Sequence, residues 1–316
     1  FYGMGAWIES SKAWDKFLDH RDASYLKGEA LKAQSQTLAA QGRWEEAGRV
    51  LEELSRYNPA YDEMDDVRYL HGVMSFYRKD YEPAVSYLQK MSSTTAAGLY
   101  YLGKSYLALG RGIFGAQKFH ALIRQFPGAS FATEAEFLTA ESNFAAQDYP
   151  AAIKSFSHFV QTYPTSALRW AAHYKIGYSQ FAQDNFIAAR ESLQTVLGGT
   201  SAKDNPGGMI LHPDQSSDPA LNLSNANDFA PWALYLIGES YLKEKRYREA
   251  SFVYGKMANA FVRHPFAANA MYKLSWCLAQ DEDYAASQTN LRQLLALYPA
   301  SPILPYAHLL LGNILN

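Results

Sequence analysis

A single cysteine, Cys277, in 316 residues excludes a disulfide framework and a cysteine-ligated zinc site within one chain. Set in Ser-Trp-Cys-Leu-Ala, it reads as a small buried hydrophobe, and so low a count also suits export through an oxidising compartment. No run of about 18 apolar residues occurs, so no helix of this sequence is expected to span a membrane. Neither sign of charge dominates: 29 basic and 31 acidic residues give −2, with no basic block or acidic tail, which leaves no footprint for nucleic acid. Gly198-Gly199 and Gly207-Gly208 lack the Lys-Ser/Thr and helix that complete a phosphate-cradling loop. The eight histidines make no His-x-x-x-His or His-Glu-x-x-His spacing, and Glu134 and Glu136 point to different sides of a helix, so they form no acid/base pair. The sequence therefore proposes no catalytic residue, no cofactor and no metal site, and it reads as a non-enzyme. It starts at Phe1 without a signal peptide and is taken as a processed piece whose targeting information is missing.

What is present is repetition. The chain is 48% hydrophobic and 15% aromatic, with 23 tyrosines. A small residue in the middle of a helix-like run recurs at Ser35, Gly72, Gly103, Ala140, Gly177, Gly238, Ser275 and Gly312, at spacings of 37, 31, 37, 37, 61, 37 and 37. The spacing of 61 is one period of 37 plus an insertion of 24. Taking this residue as the anchor, an aromatic follows nine later in six units (Trp44, Tyr81, Tyr149, Phe186, Tyr247 and Tyr284). A second small residue follows at twelve, a large apolar residue at sixteen, and a proline at 24 in four units: Pro59, Pro127, Pro164 and Pro299. Two antiparallel helices approach closely where both carry small side chains, and proline ends the second of them. Each pair leaves a face uncovered that stacking on the next pair buries. The expected fold is all-α: a right-handed solenoid of antiparallel helix pairs, about seven full repeats with half-repeats at both ends.

The segments LeuTyrTyrLeuGlyLysSerTyr (99–106) and LeuTyrLeuIleGlyGluSerTyr (234–241) resemble the tetratricopeptide repeat. The period is 37 where the usual repeat has about 34. With PheProGlyAlaSer (126–130), TyrProThrSer (163–166) and TyrProAlaSer (298–301), this resembles the long-period subclass in bacterial envelope proteins, of the barrel-assembly lipoprotein and Tol–Pal-associated coordinator type. The expected layout has five parts. Residues 1–24 form the second helix of a truncated repeat or a cap, 25–197 carry repeats one to five, and 198–228 are a Gly/Pro/Asn/Asp/Ser-rich loop insertion. Residues 229–301 carry repeats six and seven, and 302–316 are the first helix of a further repeat or a cap.

First helices of such arrays line a concave face. Three residues before each anchor stand Tyr69, Tyr100, Phe137, Tyr174, Tyr235 and Tyr272, and one after it Lys104, Glu141, Tyr178, Glu239 and Trp276. The column reads as a groove for an extended or helical peptide, with aromatics as anchors; it also reads as repeat consensus half-buried between adjacent first helices. The Lys/Asn/Arg clamp of chaperone-tail-binding repeats is not present, so an acidic chain terminus is not the expected ligand. In the insertion, Met209, Ile210 and Leu211 are the apolar cluster expected to dock on the array, and His212 is expected in solvent. The Asp and Asn residues there match no calcium loop. The implied function is a protein- or peptide-binding scaffold in a bacterial envelope complex, periplasmic in location. An assembly module for unfolded clients and a cytoplasmic adaptor are the alternatives.

Overall fold

The computed structural model of the protein describes residues 4–18, 26–197 and 228–315. It divides into two units, Phe1–Asp148 and Tyr149–Asn316. The first holds α1 (Met4–Leu18), α2 (Lys27–Ala40), α3 (Trp44–Tyr57), a 3₁₀ turn at Pro59–Glu63, α4 (Asp65–Tyr77), α5 (Tyr81–Gln89), α6 (Ala96–Ala108), α7 (Gly112–Gln125) and α8 (Ala132–Ala145). The second holds α9 (Tyr149–Thr162), α10 (Arg169–Phe181), α11 (Phe186–Val196), α12 (Ala230–Lys243), α13 (Tyr247–Ala260), α14 (Ala267–Gln280), α15 (Tyr284–Leu297) and α16 (Leu304–Leu315). The described residues contain no strand, and the all-α array of helix pairs is the observed fold. Within each unit every helix packs on the next in sequence. In the first unit α2 also touches α4, α4 touches α6 and α6 touches α8, so the first helices of successive pairs lie side by side.

The anchor positions explain the close approach inside each pair. A Cβ on Gly72 would stand 2.5 Å from Leu88 Cγ, on Gly103 2.7 Å from Phe119 Cε1, on Gly177 2.5 Å from Leu193 Cγ, and on Gly238 2.7 Å from Tyr254 Cε1. In each case the residue met is the large apolar one sixteen positions on, and Leu88, Phe119, Leu193 and Tyr254 are all buried. Ser275 replaces glycine in α14, and its carbonyl accepts a hydrogen bond from Ser287 Oγ, twelve residues on, at 2.7 Å. A second core position emerges nineteen after the anchor. Leu54, Leu122, Phe159, Val196, Met257 and Leu294 are each 0% exposed there.

The turn between the two helices of a pair has one backbone solution. The residue seven after the anchor has positive φ every time: Gly42, Lys79, Gly110, Gln147, Asp184, Lys245 and Glu282, between 58° and 74°. This is the left-handed residue that ends a helix, and the next N–H bonds back into the last turn, as Arg246 N to Tyr241 O at 2.9 Å. The aromatic at position nine opens the second helix. Its packing is looser than a plug requires: Trp44 stacks on Tyr77 at 4.2 Å and Phe186 meets Phe181 at 5.5 Å, but Tyr284 is 51% exposed. Pro127, Pro164 and Pro299 each stand two residues past a second helix, where a missing N–H costs nothing. Cys277 is fully buried, and burial pushes its thiol up to about 12.

One pair departs from the rule. Helix α5 has 9 residues where α3 and α7 have 14. The short spacing of 31 between Gly72 and Gly103 is thus taken out of the end of the second helix.

Candidate partner-binding surface

The tyrosine column has a packing role visible in its partners. Tyr100 stacks on Phe131 at 4.9 Å and 22°, Tyr174 on Phe229 at 5.8 Å and 30°, and Tyr235 on Phe266 at 5.2 Å and 27°. Each phenylalanine immediately precedes the first helix of the following pair, α8, α12 or α14. The tyrosine of one first helix therefore sets the distance to the next. Tyr100 and Phe137 are buried, while Tyr69, Tyr174, Tyr235 and Tyr272 are half-buried. Tyr69 meets Tyr101 edge-on at 6.3 Å, and Tyr272 meets Tyr306 at 6.4 Å.

Ion pairs are woven between these rings. Tyr100 Oη donates to Glu134 Oε1 at 2.7 Å and accepts from Lys104 Nζ at 3.1 Å. The same ammonium lies 4.9 Å from the Tyr100 ring centroid and 5.5 Å from that of Phe76. In the second unit Tyr254 Oη donates to Glu239 Oε1 at 2.6 Å, and Lys273 Nζ stands 3.0 Å from the same oxygen. Burial, with Glu239 and Glu134 beside them, raises the Tyr254 and Tyr100 phenols far above their ordinary range; burial pushes Tyr174 and Tyr235 up to about 12. The Tyr100 and Tyr254 hydroxyls thus stay protonated as donors to Glu134 and Glu239. Lys104 and Glu239 each have an opposite charge at hand, so the surface offers aromatic faces and paired charges rather than a field of one sign.

Of the positions one after the anchor, Tyr178 is 36% exposed, and Lys104, Glu141, Glu239 and Trp276 are half-buried. Trp276 meets Tyr247 edge-on at 5.6 Å. Met209, Ile210, Leu211 and His212 lie outside the described residues. The first unit also carries three rings that the repeat offsets did not single out, Tyr77, Tyr101 and Phe131. Trp44, Tyr77, Tyr101, Tyr100 and Phe131 form a continuous ladder, with successive centroids 4.2, 6.0, 5.2 and 4.9 Å apart. Tyr77 is 44% exposed, and its hydroxyl meets that of Tyr101 at 3.1 Å. The readable signal was an aromatic five after the anchor, but only one unit carries it.

Comparison with known proteins bears on this geometry. A tetratricopeptide-repeat family profile matches residues 269–301, which hold nearly all of α14 and α15. The chain thus resembles the tetratricopeptide-repeat proteins. A second profile, described as outer membrane lipoprotein, matches residues 92–204, and the chain resembles that type of bacterial repeat protein there. No protein with a curated description matches the chain. Among solved structures, the C-terminal part of a TPR repeat-containing protein from Cytophaga hutchinsonii is similar at 12% identity and a TM-score of 0.63, over 87% of this chain and 98% of that one. The apo form of RapI is similar at 13% identity and a TM-score of 0.57, over 90% and 79%. At such identities these structures show the fold. No described helix of this chain is long and apolar enough to cross a membrane.

Proposed function

We propose that this protein is a non-enzymatic scaffold that binds a protein partner through an aromatic groove on its first helices, within a bacterial cell-envelope complex. The observation that carries the reading is the partly exposed rings on those helices, Tyr77 in the first unit and Tyr178 and Trp276 in the second, each packed against a neighbouring ring: Tyr77 on Trp44, Tyr178 on Tyr174 and Trp276 on Tyr247. Rigid aromatic faces give contact area at low entropic cost, which is why they dominate protein-binding hot spots. Lys104, Glu141 and Glu239 would supply directional polar contacts around them, and the neutral charge balance favours a mixed or uncharged segment over an acidic terminus. The outer-membrane-lipoprotein profile supports the envelope and a periplasmic location. Residues 209–212 of the insertion are proposed as a second contact on the same partner.

The test is partner binding by Tyr77→Ala, Tyr178→Ala and Trp276→Ala, singly and combined, with helicity checked by circular dichroism. These side chains are more exposed than Tyr100, whose loss would disturb packing. Loss of about 2 kcal/mol or more of binding at one or more sites is expected of hot spots. A combined variant that binds like the parent refutes the groove.

A further inference from the structure

The truncated helix α5 leaves a cleft, and we propose that this cleft binds a short aliphatic carboxylate. In six other units the residue nineteen after the anchor lies fully buried. In the short unit that residue is Met91, which falls two positions beyond the end of α5 and is only half-buried. A second helix of 14 residues would extend five residues further, about 7.5 Å at 1.5 Å per residue. In its place stands an open cleft of about 370 Å³ between α5, α6 and α7. That volume lies in the range of about 300–1,000 Å³ of small-molecule sites.

The segment between α5 and α6, which gives Met91, Ser93, Thr94 and Thr95 to the lining, is tied down from outside the cleft. Asp65 accepts from Ser92 N at 2.8 Å, Ser92 Oγ at 2.8 Å and Ser93 N at 2.6 Å. Arg68 Nη1 donates to Lys90 O at 2.8 Å, and Thr95 Oγ1 accepts from Gly98 N at 3.0 Å. The chain from 90 to 95 is thereby tied at both ends. Leu88, Met91, Leu99 and Leu102 form the apolar part of the lining, and Gln89, Ser93, Thr94 and Thr95 the polar part. Lys118 of α7 is the one ionisable side chain lining the cleft, and it makes no ion pair among the described residues. A short apolar chain with one terminal anion matches this arrangement: its methylenes lie on the half-buried Met91 and Leu99, and the carboxylate takes a charge-assisted hydrogen bond from Lys118. The site is separate from the proposed partner surface, so either reading can fail alone.

The experiment follows the Met91 methyl resonance of the intact chain while octanoate is titrated, with octylammonium as the charge-reversed control. Saturable shifts with octanoate and none with octylammonium are expected. Lys118→Gln should weaken binding about tenfold, the scale of one lost charge-assisted contact, and Lys118→Arg should retain it. Absence of a Met91 shift, equal binding of the ammonium, or an unchanged affinity in a folded Lys118→Gln variant would each overturn the proposal.

Discussion

The seven turns with positive φ offer a quantitative test of how the repeat is built. Five of them use a residue other than glycine: Lys79, Gln147, Asp184, Lys245 and Glu282. All five side chains are exposed, so replacing them removes no core contact. The left-handed conformation costs an L-residue about 1–2 kcal/mol. Glycine escapes that cost but loses about 0.5–1 kcal/mol more in backbone entropy on folding. Each change to glycine should therefore stabilise its unit by roughly 0.5–1 kcal/mol. The reverse change is cleaner still. A Cβ on Gly110 would meet nothing within 4 Å, so Gly110→Ala imposes the backbone cost without a clash and, net of the entropy regained, should destabilise by about 0.5–1 kcal/mol. Urea unfolding followed by circular dichroism measures the totals. Amide exchange near each turn separates units that unfold independently. A Lys245→Gly variant less stable than the parent, or a Gly110→Ala variant as stable as the parent, would refute the reasoning.

Three further outcomes are expected. Gly103→Ala forces a Cβ to 2.7 Å from the buried Phe119 ring and should cost about 1–3 kcal/mol in urea unfolding, whereas Gly312→Ala, with nothing within 4 Å, should be neutral or stabilising by up to about 1 kcal/mol. Arg190 is buried, stands over the Tyr241 ring at 4.4 Å, and pairs with Glu244 at 2.8 Å; Arg190→Met should cost about 2–3 kcal/mol and raise amide exchange in α12. His71 is buried against Tyr87, stacked at 4.8 Å, and desolvation lowers its pKa below 6.5 despite Asp62 at 3.4 Å. Because the unfolded chain then binds the proton more readily, stability is fully present above pH 6.5 and is lost as pH falls through the folded value. His71→Phe keeps the stack and should flatten the stability profile between neutral and mildly acid pH; an unchanged slope would contradict the assignment.

The repeat was legible because its constraints are steric and recur. A glycine that must admit a leucine or a ring sixteen residues on leaves a periodic trace, and Gly72, Gly103, Gly177 and Gly238 reveal both the period and the 24-residue insertion. The turn geometry was hidden for the opposite reason. Lysine, glutamine, aspartate and glutamate at positive φ carry no distinctive residue type, because the backbone rather than the side chain meets the requirement. The ring stacks behind the candidate surface were half legible. Tyr100, Tyr174 and Tyr235 stand out as a column, but their partners Phe131, Phe229 and Phe266 lie in the next unit, at 31, 55 and 31 residues, and only the fold joins them. The spacing of 31 at Gly72–Gly103 announced a defect without saying that α5 would lose its last turn and open a cleft.

The central claim is that partners are met by the first helix of each pair. It is tested most directly by placing a photo-cross-linking residue at Tyr178 or Lys104, and in parallel at Lys154 of α9 or Arg292 of α15, which lie exposed on second helices. Illumination of the protein in its native cell should produce one adduct of the same partner from Tyr178 and Lys104, and none from Lys154 or Arg292. Adducts from the second-helix positions alone would contradict the account.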